Sequence, residues 1–94
     1  MKVGNESASV TVLITNPLGL HARPAMSFVD LANGFGCDIR VHKGEQVVDG
    51  KSIMQMMMLA ASQGTELRVT AAGSDAEEAV EALRALVDRR FDED

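Results

Sequence analysis

Two periods of apolar residues alternate along the chain. From Ser9 to Thr15, Val10, Val12 and Ile14 alternate with Ser9, Thr11 and Thr15, the pattern of a half-buried strand, with Leu13 as an apolar intrusion on the polar face. Asn16-Pro17-Leu18-Gly19 has turn composition. Ala25, Phe28, Val29 and Ala32 then recur at helical spacing, with Asn33-Gly34 supplying a left-handed stop. Pro24 is tolerated only in a first helical turn, so this helix starts at about His21 or Ala22. Cys37, Ile39 and Val41 alternate with Asp38, Arg40 and His42; Gly44 marks a hairpin, and Gln46-Val47-Val48 pairs back. A second helix opens at Ser52, whose spacing to Gln55 suits a capping box, and runs to Gly64. Thr65 to Ala71 is a further strand with Leu67, Val69 and Ala71 facing in. Ser74 and Glu77 suggest a second capping box, followed by a helix with the stripe Ala76, Ala79, Val80, Leu83, Leu86 and Val87. Arg84, Arg89 and Arg90 suit the C-terminal end of its dipole.

The order is βαββαβα. Each strand has one apolar and one polar face, which predicts an α+β domain with its sheet covered by helices on one side. At 94 residues one domain is expected. It should occupy residues 9–90, with 1–8 as a flexible lead and the acidic tail 91–94 (FDED) solvated.

Composition narrows the function. The net charge is −5 and there are three Phe with no Trp or Tyr. Such a chain repels phosphate backbones and lacks a stacking platform for bases, so nucleic-acid partners are not expected. One cysteine, Cys37, excludes an internal disulfide and fits a reducing compartment. With no signal peptide or membrane-length apolar run evident, a cytoplasmic location is expected. Neither a cofactor nor a metal ligand set is expected; His42 reads as a surface residue and Cys37 as a structural one.

The chemistry concentrates in Gly19-Leu20-His21-Ala22-Arg23-Pro24-Ala25. His21 stands at the mouth of a helix, where unpaired N–H groups and the dipole favour an anion. The same field favours a neutral, nucleophilic imidazole. Arg23 adds a guanidinium that could hold phosphoryl oxygens. These parts make a minimal phosphohistidine site. A lone histidine before a helix is, however, more often a cap or a surface residue.

Residues 20–25, L-H-A-R-P-A, match the active-site motif of the HPr family, the histidine phosphocarriers of the bacterial phosphotransferase system, and Lys51-Ser52-Ile53-Met54 is a second match. The chain resembles this family over about residues 9–90. The resemblance implies an open-faced β-sandwich, a four-stranded antiparallel sheet with three helices on one side. It implies that His21 accepts a phosphoryl group from enzyme I, at the ring nitrogen nearest the backbone, and passes it to an enzyme IIA-type protein. The chain would then be a carrier in a phosphotransfer chain rather than a stand-alone enzyme. Arg23 would stabilise the group, the backbone of Ala22 and Arg23 would contact it, and Pro24 would hold the helix start. Leu20, Met26, Ile53, Met54 and Met57 would dock partners; Met56, Met58 and Leu59 could equally be core. Leu18 and the FDED tail look more like the nitrogen-branch carriers (NPr type), whereas KSIM looks more like sugar-branch or kinase-regulated ones.

Ser52 resembles the serine that an HPr serine kinase/phosphorylase modifies, and equally reads as a plain N-cap. Two rival functions follow: a purely regulatory HPr-like binding protein controlled at Ser52, and a small metabolite- or RNA-binding α+β domain. A carrier that must offer its site to successive partners is expected to be a monomer.

Overall fold

A computed structural model describes residues 6–93. Its elements are β1 (Ser7–Leu13), α1 (Ala22–Ala32), β2 (Asp38–Lys43), β3 (Gln46–Asp49), α2 (Ile53–Met58), β4 (Glu66–Ala72) and α3 (Ala76–Asp88), followed by a short turn at Arg90–Asp92. The sheet is antiparallel with strand order β1-β4-β2-β3. The last strand therefore sits between the first two, Val10 and Val41 both lying opposite Val69.

The period-two pattern is realised on all four strands. Val12, Ile39, Val41, Val48, Leu67, Val69 and Ala71 are buried beneath the helices, while Thr11, Asp38, Arg40 and Arg68 lie on the open face. Leu13 is on that open face too, 49% exposed, as its place in the alternation requires. The six stripe positions of α3 are buried, and Phe28, Ile14, Met56 and Leu83 are among the largest fully enclosed side chains.

Several local expectations are corrected. Strand pairing begins at Ser7, opposite Ala72, so Ser7 and Ala8 belong to the sheet rather than to a flexible lead; residues 1–5 lie outside the described residues. Asn33 ends α1 in a right-handed conformation (φ −70), and the chain leaves by tight turns from Gly34 to Leu31 and from Phe35 to Ala32, without a left-handed stop. The second helix ends at Met58, well short of Gly64. Lys43 Nζ donates to the Leu59 carbonyl (2.8 Å) and Gln46 Nε2 to that of Met58 (3.2 Å), so side chains of the β2–β3 hairpin satisfy the helix end, and Ala60 (φ 50) turns the chain away.

The two capping boxes are also incomplete. Ser52 Oγ accepts from the Gln55 N–H, but Gln55 Oε1 accepts from the Asp49 N–H instead of returning to Ser52. Helix α3 is preceded by Asp75 rather than Ser74, and Asp75 does not cap its own helix. Its two carboxylate oxygens accept from the Gly36 and Cys37 N–H groups at 2.9 and 3.0 Å, tying the entry of β2 to the start of α3. Arg84 pairs with Glu81 and Asp88, and Arg89 with Asp92, exposed contacts of small energetic weight.

Because the helices cover one face only, truncation should be costly there and cheap on the other. Leu83→Ala is expected to lose about 3 kcal/mol and Leu13→Ala less than about 0.5 kcal/mol, read from urea midpoints at constant m-value.

Candidate functional site

The site is assembled by the turn before α1. Asn16 accepts at its carbonyl from the Gly19 N–H (3.0 Å), and its side-chain Nδ2 donates to the Gly19 carbonyl (2.7 Å). Gly19 is left-handed (φ 69), and a Cβ there would lie 2.5 Å from the Ala61 carbonyl oxygen. Only glycine permits both this conformation and this approach. Leu20 N–H then donates to the same Ala61 carbonyl (2.8 Å), so the segment after α2 is held against the residue preceding the histidine.

His21 is the N-cap of α1, extended (φ −81, ψ −169), and its side chain makes no capping bond. The first helical hydrogen bond runs from Ala25 N–H to the His21 carbonyl (3.0 Å). Ahead of it, the N–H groups of Ala22 and Arg23 donate to no group among the described residues, and Pro24, buried, has none to offer. Arg23 is exposed. His21 and the free N–H groups of Ala22 and Arg23 thus share the start of α1, with the Arg23 side chain exposed beside them.

One contact was not anticipated. His21 Nε2 lies 3.0 Å from Glu93 Oε1, which also accepts from Asn16 Nδ2 at 2.9 Å. The bond from His21 holds the Glu93 carboxyl below the usual carboxylate range, with help from Asn16 and from the charge of Arg23, against partial desolvation. Phe91 and Glu93 are therefore held against the domain, while Asp92 is exposed and Asp94 lies outside the described residues. Phe91 is buried at 6% exposure and anchors it, while Arg90, Phe91 and Asp92 all adopt left-handed conformations (φ 58, 55 and 61). Three such non-glycine residues in a row are costly, and the burial of Phe91 together with the bonds to Glu93 offsets the strain. The boundary expected after residue 90 does not exist structurally. An aromatic residue within an acidic tail, in a chain with three phenylalanines, was the available signal for such an anchor.

The docking residues separate into two groups. Met26, Met54 and Met57 are exposed, Met54 at 77%, and Ile53 is half-buried. Met58 and Leu18 are exposed as well, while Met56 and Leu59 are core. Leu20, expected to dock, is buried, because the strand-to-helix turn directs it under α1 and away from solvent. Ser52 is half-buried at the start of α2, and its capping bond accounts for its presence without any modification.

His42 lies on the open face beside Thr70 and Arg68; partial burial, then the charges of Arg68 and Arg40, lower its pKa. Burial and the neighbouring Asp75 push the Cys37 thiol up, as suits an inert structural residue. Among the described residues no cluster of three metal-ligating side chains occurs.

The family model "PTS HPr component phosphorylation site" matches residues 8–89. The phosphocarrier protein HPr of Pseudomonas aeruginosa is 48% identical over 86 residues, 90% of this chain and 96% of that protein. The phosphocarrier protein NPr of Escherichia coli K12 is 40% identical over 85 residues, 89% of this chain and 94% of that one. The crystal structure of HPr-C-His from Thermoanaerobacter tengcongensis superposes with a TM-score of 0.89 at 45% identity, covering 93% of this chain and 98% of that one. The chain belongs to the HPr family. The four-stranded open sheet with three helices on one side is the architecture of that family.

One measurement probes the turn before the site and another the β2–α3 junction. Gly19→Ala should cost at least about 2 kcal/mol in urea denaturation, since it adds both left-handed strain and a backbone clash. The Gly36 N–H, first, and then the Cys37 thiol lower the Asp75 carboxyl. A depressed carboxyl contributes stability that is present above its unfolded value, about pH 4, and is lost as pH falls through the folded value. Asp75→Asn should accordingly flatten the acid side of the stability–pH profile, followed by thermal unfolding below about pH 4.

Proposed function

We propose that this chain is a phosphocarrier of the phosphoenolpyruvate-dependent phosphotransferase system that carries the phosphoryl group on His21. The observation that carries the reading is the arrangement at the start of α1: a histidine with no capping bond, beside two peptide N–H groups without partners among the described residues. Nδ1 of the ring is the nucleophile. The N–H groups of Ala22 and Arg23 and the Arg23 guanidinium receive the phosphoryl oxygens, favoured by the helix dipole. Pro24 fixes the start of the helix, so these donors keep their place before and after transfer and need little reorganisation.

In this reading enzyme I supplies the group and an enzyme IIA-type protein takes it. Met26, Ile53, Met54 and Met57 form the docking face, a flexible apolar surface suited to more than one partner. A soluble, cytoplasmic monomer meets both partners by diffusion. No helix of the described residues is long and apolar enough to cross a membrane.

Incubation with enzyme I and phosphoenolpyruvate should give an acid-labile, base-stable phosphate, measured by intact mass and acid treatment. His21→Ala is expected to carry none; equal labelling of this variant would refute the reading. Arg23→Ala should slow transfer roughly a hundredfold, the scale of losing one preorganised charge-stabilising donor.

A further inference from the structure

We infer that Glu93 is a positioning residue for His21: its side chain fixes the ring tautomer that leaves Nδ1 free to attack. The inference rests on His21 being the phosphoryl acceptor. An ionised carboxylate can only accept hydrogen bonds, so the 3.0 Å contact between Glu93 Oε1 and His21 Nε2 requires the proton on Nε2. In a neutral ring the other nitrogen, Nδ1, then carries the lone pair. No hydrogen bond among the described residues engages Nδ1. A histidine elsewhere on the surface would divide between its two tautomers, and only one of them is nucleophilic at Nδ1.

The contact is built rather than incidental. Glu93 lies 72 residues from His21 in sequence and reaches it through the buried Phe91 and three consecutive left-handed residues. The same oxygen is held from the other side by Asn16, which is fully buried and also shapes the turn before His21. One asparagine therefore sets both the backbone leading to the ring and the acceptor opposite its far nitrogen.

The carboxylate also has a part in the transfer step. As Nδ1 forms its bond to phosphorus, the bond between phosphorus and the donor atom breaks, and its electron pair stays with the donor. The Nε2 proton stays on the ring, which becomes positively charged. Glu93 faces that charge across the Nε2–H and stabilises it without being protonated, as the aspartate of a serine-protease triad does for its imidazole. In the reverse direction the same protonated ring is the better leaving group, so the contact assists transfer both onto and off His21.

The test uses the full chain with ¹⁵N-labelled histidine. Long-range ¹H–¹⁵N correlation spectra of the neutral ring distinguish the tautomers directly and need no phosphoryl transfer. The wild type should show His21 predominantly as the Nε2–H form, Glu93→Gln should shift it toward a mixture, and Glu93→Asp should recover part of the preference. Transfer from phosphorylated enzyme I should slow roughly tenfold to a hundredfold in Glu93→Gln, the range seen when an outer partner of a working histidine is lost. Asp92→Asn makes the same charge change one residue away and should leave tautomer and rate as in the wild type. An unchanged tautomer in Glu93→Gln, or an equal loss in Asp92→Asn, overturns the inference. A wild type that shows the Nε2–H form and yet accepts no phosphate would instead sink the carrier reading while leaving the positioning intact.

Discussion

Two peptide N–H groups, those of Ala22 and Arg23, precede the first hydrogen bond of α1 and have no acceptor among the described residues. Unpaired donors at a helix start favour an anion, and the proline that follows prevents the helix from extending backward to consume them. The remaining structure serves to keep this end open and correctly aimed. The left-handed Gly19 lets the chain turn sharply into the helix. The carbonyl of Ala61 holds Leu20, and Leu20, Ala25 and Phe28 anchor the first turns in the core.

The sheet order extends this logic. Because β4 lies between β1 and β2, α3 packs across β1 and β4 and delivers the chain's end beside the start of α1. Phe91 closes that junction and Glu93 reaches the imidazole. Free peptide donors thus stand at the helix start that carries the ring, and a carboxylate meets its Nε2. In the proposed reading such a ring keeps one nitrogen for its proton and one for the transferred group.

Wherever one face of an element is buried against a single neighbour, the pattern of apolar residues suffices to read it. The strands and the stripe of α3 fall in this class, since one face of each is dry and the other wet. The start of α1 was legible for a different reason, the lost N–H and fixed φ of Pro24. The ends of helices were not. The end of α2 is satisfied by Lys43 and Gln46 from a hairpin, and Asp75 serves the entry of β2 rather than its own helix. Such choices between acceptors depend on which loops are neighbours in space, and no local spacing encodes that.

By itself, the sequence determined the α+β class, the inward faces, the turn at Asn16–Gly19 and the conjunction of His21, Arg23 and Pro24 on a helix start. These follow from local sterics and periodicity, which act within a few residues. Only the tertiary structure decided that Leu20 is core, that Met56 and Leu59 are buried while Met54 and Met57 are not, and that the acidic tail folds back. A carboxylate in a chain ending reads as solvated until a buried aromatic two residues earlier and a neighbouring histidine make its ordering favourable. That balance depends on contacts between residues some seventy positions apart, and it exists only once the sheet has brought them together.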